Sequence, residues 1–355
     1  MLILQKYLFR EGLAASLLSL LVFVVIIVAL FFAEIMGDAA QGRLPAGSVL
    51  LLLLLRLPEA LHMVGPLALL TGVLLTIGRL GDESETVVMR AGGFDYRRAL
   101  TPIAMLSLLW AAGLLLLAGW VAPAAADRTA GLLEDAARQA LLGGLQPGRF
   151  NKLDQGRLTV YVGRVDRAEG TLGDILIQFD DERYPEVLTA RRGRVWVDPE
   201  DGSRYLSLLD GQQVRHASRP DDGGLREIRF ERNDLRLPRP AMAGMGEEVT
   251  LALPALWPAD SPAQYRERHW RLAAPLAALV LGLLAVPLAS RLPRQGRFGS
   301  LVLALVIYLV YSNAIHAGLV LMEQRGIQTG PGLWPLHASL GLFMILMLAR
   351  QWQRW

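Results

Sequence analysis

Charged residues gather in the segment GRLGDESETVVMRAGGFDYRR, residues 78–98, which lies between two long apolar runs. Its charged members are Arg79, Asp82, Glu83, Glu85, Arg90, Asp95, Arg97 and Arg98. The acidic start, an apolar stripe at Val87, Val88 and Ala91, and the glycine pair that follows are typical of a short helix. We predict an amphipathic helix at about 81–93. Its charges either dock a partner protein or only mark a membrane boundary.

A second set of ionisable residues, Arg56, Glu59 and His62, lies within an apolar run. The spacing of three places them on roughly one helix face, where an arginine and a carboxylate can pair and lower the cost of burial. Alternatively, Arg56 lies in a cavity and donates to phosphate groups. We predict no metal site, because H-E-x-x-H is absent and no further ligand lies at metal-binding spacing.

Other binding candidates lie near the ends of apolar runs. Arg43 lies in a short polar loop, where it is either a surface charge or a contact for charged headgroups. Tyr311, Asn313 and His316 can line a cavity, although hydrogen bonds between packed helices explain them equally well. A continuous apolar face in the first run consists of Phe23, Ile26, Ile27, Leu30 and Phe31. Lipid contact and contact with the acyl chains of a substrate require the same residue types on this face.

The composition excludes several classes of protein. The 355 residues are 53% hydrophobic and 19% charged, and the two kinds are segregated along the chain. The net charge of +3 is too small to indicate a nucleic-acid-binding protein. The absence of cysteine excludes disulfides and thiolate metal sites. Lys6 and Lys152, the two lysines, lack the P-loop context, so we expect no ATP hydrolysis, no catalytic residue and no cofactor in this chain.

Apolar runs at both ends of the chain predict membrane spans, since about 20 apolar residues cross a bilayer. Six such runs lie at residues 13–35, 48–77, 100–122, 271–290, 299–322 and 332–349. The first is too long for a cleavable signal peptide. Arginine is abundant in the loops on one side and sparse in the short loops on the other. This bias predicts that both termini are cytoplasmic and that the large middle segment lies outside the cytoplasm.

The polar middle of the chain predicts a β domain. Short alternating stretches such as RLTVYVGRV, DILIQFDDE and EIRFERNDLRL are separated by turn sequences such as PEDGS and PDDGG. This pattern predicts an antiparallel sandwich or barrel, preceded by a helix at about 124–142. The predicted organisation is spans one to three in residues 1–122, the β domain in 123–265 and spans four to six in 266–355.

Three stretches, TIGRLGDESETVVMRAGG, RLPEA and VPLASRLPRQGR, resemble the LptF/LptG permease family of the lipopolysaccharide-export ABC transporter. The order of three spans, a periplasmic jellyroll and three spans is similar along the whole chain, and PRQGR is closer to the LptF branch. The resemblance implies an all-β, jellyroll-like domain and an inner-membrane location. It implies an LptG-type permease partner and an LptB-type ATPase dimer, which binds ATP and Mg²⁺. Lipopolysaccharide would pass to LptC and LptA toward the outer membrane.

The same resemblance assigns the coupling-helix carboxylate to the stretch from Glu83 to Glu85, with Glu85 preferred, and Arg90 lies in the same helix. Three alternatives stay open. Instead of an LptF-type subunit, the chain could be an LptG-type sister, a lipid-acting intramembrane enzyme or an envelope scaffold. The enzyme would need convergent catalytic groups at one depth, and a scaffold would not need a charged helix that docks a motor.

Overall fold

The computed structural model describes residues 2–40, 44, 46–82, 85, 89, 91, 96–144, 147–153, 158–166, 171–179, 186–197, 204–216, 225–236, 246–289, 296–327 and 329–352. The chain forms two compact units. The helical unit consists of Met1–Gly37, Gly47–Thr129 and Met245–Trp355. The sheet unit consists of Asp38–Ala46 and Ala130–Gly244.

The helices with described bounds are α1 (Leu2–Ala40), α2 (Val49–Leu55), α3 (Leu57–Asp82), α4 (Tyr96–Leu116), α5 (Ala122–Gly144), α6 (Pro262–Ala289), α7 (Gly296–Gln324) and α8 (Trp334–Trp352). Among the described residues, five helical segments are long and apolar enough to cross a membrane, namely Ile3–Ala40, Leu57–Gly81, Leu100–Leu133, Pro262–Ala289 and Gly299–Gln324. The prediction of several membrane-spanning helices is therefore confirmed.

The sixth predicted span corresponds to α8, which has 19 residues and is not among those five. Its apolar stretch is shortened at both ends by polar residues, with His337 near the start and Arg350 and Gln351 near the end. The count of six spans stays a prediction.

The second predicted span differs from a single helix. Helix α2 ends at Leu55 and α3 begins at Leu57, with Arg56 at the junction. Pro58 accounts for the junction, because it has no N–H to donate to the carbonyl oxygen of Leu54, four residues earlier. Helical hydrogen bonds continue across it, from Arg56 N to the Leu52 oxygen and from Ala60 N to the Arg56 oxygen, each at 3.1 Å.

A π-helical turn, Leu117–Val121, joins α4 to α5, so the helix continues well past the length that a bilayer requires. Pro123 lies two residues after this turn and has no N–H to donate to the carbonyl oxygen of Gly119, which explains the local change in hydrogen bonding. Gly119 is buried in this turn.

The core of the helical unit is centred on α6, which packs against α3 and α4. Small residues allow this close packing: a Cβ placed on Gly282 would lie 2.3 Å from Ser107 Oγ and 2.8 Å from Leu69 Cδ2. The fully buried side chains around this contact include Leu69, Leu70, Leu106, Ala278, Leu281 and Leu284.

In the part of the sheet unit that the structure describes, six strands pair antiparallel, namely β1 (Phe150–Leu153), β2 (Leu158–Asp166), β3 (Thr171–Phe179), β4 (Glu186–Val197), β5 (Arg204–His216) and β6 (Leu225–Arg236). Each strand pairs with the next one along the chain, so the order is β1-β2-β3-β4-β5-β6. The prediction of an antiparallel β domain between the third and fourth long helices is confirmed. The described strands form a meander in one sheet, whereas a jelly roll is built from Greek keys.

One face of the sheet carries its apolar core. The buried residues of this face are Val160, Val162, Leu172, Ile175, Ile177, Leu188, Ala190, Leu206 and Leu208. The alternation changes phase within β3, where Leu172 and Ile175 are both buried although they are three positions apart. Asp174 lies between them with a φ of 55°, a left-handed conformation that aspartate tolerates better than most residues.

The phase change recurs across the sheet in one line, which we call the crease row. It consists of Gly163, Asp174, Arg191, Asp210 and Glu231. These residues lie side by side on neighbouring strands, and the residues before and after each of them are paired whereas they themselves are not. Asp210 has a φ of 54°, so β5 repeats the conformation of β3. The crease row therefore interrupts the alternation of neighbouring strands at the same level. Apolar side chains before and after it lie on one face of the sheet.

Candidate functional site

The segment predicted as a coupling helix is helical at Glu85, Met89 and Ala91, and Glu85 is half-buried. Met89 packs against a small cluster centred on Leu8 and Leu80. Glu83 and Arg90, the other two residues predicted for this site, lie outside the described residues. The described contacts tie this segment to the start of α1 and the end of α3.

Arg79, in the last turn of α3, holds the start of α1 by polar contacts. One guanidinium nitrogen, Nη2, donates to Glu11 Oε2 and to the Tyr7 hydroxyl, each at 3.1 Å. The side chains of Arg79 and Glu11 are 36% and 39% exposed, so solvent weakens the ion pair. The contact therefore orients the start of α1 against the end of α3 more than it stabilises the fold. The sequence prediction treated Arg79 only as part of a charge cluster and did not identify either partner.

Helices α1 and α3 come into backbone contact one turn further along. Ser16 is fully buried, and a Cβ placed on Gly72 would lie 2.4 Å from the Ser16 Cα. Gly12 of α1 similarly makes room for Leu106 of α4. A Cβ placed on Gly12 would lie 3.1 Å from the Leu106 Cδ2 atom. Small residues on both helices are what such close approach requires.

Beyond Ser19 the apolar face of α1 is poorly covered. Phe23 and Ile27 are half-buried, whereas Leu30 is 61% exposed. The other exposed large side chains of this helix include Leu17, Leu18, Leu21, Val22, Val25, Ile26 and Phe32. A membrane, a partner or a substrate must cover these residues, since such an extended apolar surface is not stable in water.

Arg56 is bound to the far part of α1. Its Nη1 donates to Glu34 Oε2 at 2.7 Å, and its guanidinium carbon lies 5.2 Å from the centre of the Phe31 ring. The sequence suggested Glu59 as the ion-pair partner, and this was wrong: Glu59 is exposed, and the partner lies on another helix. Helical spacing cannot reveal this pair, because 22 residues separate Arg56 from Glu34.

His62 does not join Arg56 and Glu59 in one cluster. It is buried against α6, where its Nε2 donates to the Trp270 carbonyl oxygen at 3.3 Å and the two rings lie 5.0 Å apart. The described residues bring together no group of three or more metal-binding side chains. The predicted Arg56–Glu59–His62 face is thus divided between two helix contacts.

Tyr311 and His316 on α7 also have different surroundings. The Tyr311 hydroxyl is buried 2.5 Å from His337 Nδ1 of α8. His316 is exposed and its Nδ1 donates to the Ser312 carbonyl oxygen at 2.8 Å. These two residues therefore do not line one cavity. Arg43 lies outside the described residues.

The first three turns of α6 contain a buried ion pair that the sequence prediction missed. Arg271 Nε donates to Glu267 Oε1 at 2.7 Å, and only 4% of the Arg271 side chain is exposed. Its other nitrogens donate to the carbonyl oxygens of Leu251 (2.5 Å), Glu248 (3.1 Å) and Val249 (2.9 Å). Arg271 thus fixes the segment that leads into α6. The spacing of four between two opposite charges at the start of an apolar run was the available signal.

These elements define a class of protein, namely a multi-pass membrane protein with an antiparallel β domain inserted after its third long helix. Residues 6–350 match the family described as "Lipopolysaccharide export system permease LptF/LptG". The chain belongs to this family.

The matched relatives include both sister proteins of the family. The chain is 26% identical over 354 residues to the lipopolysaccharide export system permease protein LptF of Escherichia coli (strain K12), which covers 99% of this chain and 95% of the relative. The LptF of Shigella flexneri matches to the same extent. The LptG of Escherichia coli (strain K12) is 26% identical over 213 residues, which is 59% of this chain and 57% of the relative.

Proposed function

We propose that this chain is the LptF-type permease subunit of a lipopolysaccharide-export transporter in a bacterial inner membrane. The observation that carries the proposal is the extent of the match: the LptF relatives align over 99% of the chain, whereas LptG aligns over 59%. An LptG-type protein would be the second permease. An LptB-type ATPase dimer, which holds ATP and Mg²⁺, would supply the energy, and LptC and LptA would receive the lipid.

The topology proposed is cytoplasmic termini and a periplasmic β domain. The basic residues Lys6, Arg10 and Arg79 support it, because positive charge near span ends favours the cytoplasmic side. The segment with Glu83, Glu85 and Arg90 would then face the cytoplasm and dock the ATPase. The sheet would shield acyl chains on its apolar face, and its exposed edges would extend by strand addition.

Substrate contacts are proposed at the far part of α1. Phe23, Ile27, Leu30 and Phe31 would contact acyl chains. Arg56 has a charge-assisted donor set suited to phosphate, and Glu34 would have to yield it when lipopolysaccharide binds. Arg43, Glu59 and His316 complete the proposed set of substrate contacts, whereas Tyr311, which is buried against His337, is left out of it. Membrane lipids would occupy the same apolar surface when no substrate is present.

The docking assignment is tested by charge reversal. The chain is co-expressed with an LptB-type ATPase and an LptG-type permease and purified through a tag on this chain. We expect Glu83→Arg/Glu85→Arg to abolish co-purification of the ATPase and export of lipopolysaccharide. The control Asp127→Arg/Asp260→Arg makes the same change in charge at two exposed carboxylates elsewhere and should leave both unchanged. Full export by the first double variant contradicts the docking assignment.

The choice between sister subunits needs a second pairing. Co-expression with an LptF-type partner instead of an LptG-type partner should give no stable complex if this chain is itself LptF-type. A stable complex only with the LptF-type partner would assign this chain to the LptG branch. Purification of the chain alone in both cases would favour an envelope scaffold or a lipid-acting enzyme.

A further inference from the structure

We propose that Arg268, near the start of α6, binds the phosphate of a membrane phospholipid at the surface of the bilayer. The rings of Trp257 and Tyr265 hold its guanidinium ready for that contact. The occupant is a lipid of the surrounding membrane, not the transported one. The site goes beyond the proposed function, because it requires only that the chain lies in a membrane.

Three arginines lie within six residues at the start of α6, and two of them are paired with carboxylates. Arg271 contacts Glu267 at 2.7 Å, and Arg266 contacts Glu323 at 2.5 Å. Among the described residues, Arg268 has no carboxylate partner, although its sequence neighbours do. Its charge is therefore available to an anion from outside the described chain, and the planar donor set of arginine suits two phosphate oxygens.

Two aromatic rings fix the position of the Arg268 guanidinium. Its carbon atom Cζ lies 4.2 Å from the centre of the Trp257 ring and 4.7 Å from the centre of the Tyr265 ring. Tyr265 is itself held, since it is buried and its hydroxyl donates to the Gly330 carbonyl oxygen at 2.5 Å. Ring faces attract a cation but accept none of the in-plane hydrogen bonds of a guanidinium. Arg268 is thus an oriented donor whose hydrogen bonds are still to be made.

The cluster lies at the level where a bilayer presents its headgroups. Arg268 precedes the apolar run 271–290 by three residues, which is about 4.5 Å along a helix. Trp257 is 59% exposed, although most of its ring is apolar. A phosphate above the ring and acyl chains below it would cover both parts of this exposed surface.

Two further exposed tryptophans mark the same level. Trp334, which is 48% exposed, starts α8, and its ring lies 6.2 Å from that of His269 in α6. Trp120, which is 50% exposed, lies in the π-helical turn, and this turn contacts the short helix Leu253–Leu256 before α6. Tryptophan is enriched where a membrane meets water. These rings therefore place Arg268 among lipid headgroups.

A phospholipid matches the charge of this cluster. The one guanidinium that lacks a carboxylate partner among the described residues of the α6 start balances the single phosphate of a phospholipid. The contacts proposed for lipopolysaccharide lie on other elements, chiefly the far part of α1 and Arg56. The cluster is therefore separate from the proposed path of the transported lipid.

The test uses the full chain purified in detergent, with native mass spectrometry to count the lipids that it retains. The probe is phosphatidylglycerol, and its matched control is diacylglycerol with the same acyl chains but no phosphate. We expect the unmodified chain to retain phosphatidylglycerol and to lose diacylglycerol. Arg268→Ala should raise the Kd for phosphatidylglycerol at least about tenfold, the effect of losing one hydrogen bond between charged groups.

Two further variants separate the planar donor set from charge alone. Arg268→Lys keeps the charge without the planar donor set and should raise the Kd by a smaller factor than Arg268→Ala. The matched control Arg325→Ala removes an exposed arginine just after α7 and should leave the Kd unchanged. A phospholipid with a photoreactive headgroup should attach within residues 257–268 of the unmodified chain and not of Arg268→Ala.

Several outcomes would overturn the site. Equal Kd values for Arg268→Ala and Arg325→Ala would do so, as would equal retention of diacylglycerol, since acyl chains alone would then explain binding. Displacement of phosphatidylglycerol by inorganic phosphate would assign a free-phosphate site instead. Displacement by less lipopolysaccharide than phosphatidylglycerol would assign the transported lipid. The chain is measured alone, so a failure to assemble with an ATPase would overturn the proposed function without touching this site.

Discussion

Helices α1 and α6 are both long, apolar and predicted from sequence as membrane spans, yet their surroundings differ. In an 18-residue apolar stretch of each helix, the buried share is 11% in α1 and 67% in α6. Helix α6 has seven alanines among its 28 residues and one glycine, Gly282, at its closest contact, which let neighbouring backbones approach, whereas α1 presents leucine, isoleucine, valine and phenylalanine. Residue size distinguishes the two helices better than apolar character does.

The difference shows which helix holds the unit together and which one is available to other molecules. Helix α6 is in contact with α3, α4, α7 and α8, and its first turns are fixed by Arg271. The middle of α1 leaves its large side chains to lipid, to a partner or to substrate. Substitutions in the two helices should therefore have opposite signatures: loss of stability in α6 and loss of function in α1.

The largest effect on stability is expected from Arg271→Ala. Removing the guanidinium leaves the Glu267 carboxylate buried without its partner and frees three carbonyl oxygens, and breaking a buried pair costs about 3–5 kcal/mol. Denaturant titration of the chain purified in detergent measures the loss. Arg325→Ala, an exposed arginine after α7, is the control and should change little. Equal stability of the two variants would contradict the anchoring role.

The comparison of the two helices is tested directly by one pair of leucines. Leu281→Ala removes a fully buried side chain of α6, and such truncations cost about 2–5 kcal/mol. Leu18→Ala on α1 removes a side chain that is 64% exposed, and we expect a change within about 0.5 kcal/mol. Thermal unfolding of both variants in the same detergent measures the contrast. Similar losses would mean that α1 is covered by its own chain.

Glycine substitutions give the next smaller effect. Gly282→Ala in α6 places a methyl group where Ser107 Oγ and Leu69 Cδ2 already lie within 2.8 Å, and overpacking costs about 1–3 kcal/mol. Gly113→Ala in α4 meets no atom within 4 Å and should stabilise its helix by about 0.5–1 kcal/mol. Unfolding midpoints of the two variants should move in opposite directions.

The smallest effect is expected where side chains are exposed, in the sheet unit. Arg232 donates to Asp234 at 3.0 Å, and Ser207 also donates to this carboxylate, so the pKa of Asp234 is held below its ordinary value, chiefly by Arg232. A depressed pKa stabilises the fold above the ordinary pKa of aspartate, and this contribution is lost as pH falls through the lowered value. Asp234→Asn should be slightly less stable than the parent at pH 7 and equal to it in strong acid. A pH series of melting curves checks this.

The sequence predicted the elements better than it predicted their contacts. Apolar length identified five spans, and alternation located the strands from Leu158 onward, but it missed the four-residue strand β1. The pairs Arg56–Glu34 and Arg79–Glu11 could not be predicted, since each joins residues of different helices. The docking residues Glu83, Glu85 and Arg90 stay a prediction, because their role depends on a partner protein.

The crease row limits how the length of this domain can change during evolution. Its residues stand at one level in five strands, and each strand has a fixed number of residues on either side of that level. A single-residue insertion within β3 or β5 would move Asp174 or Asp210 out of line and send the following apolar side chains to the opposite face. Natural variation in length should therefore fall in the connections between strands, and the distance from each turn to the crease should be constant.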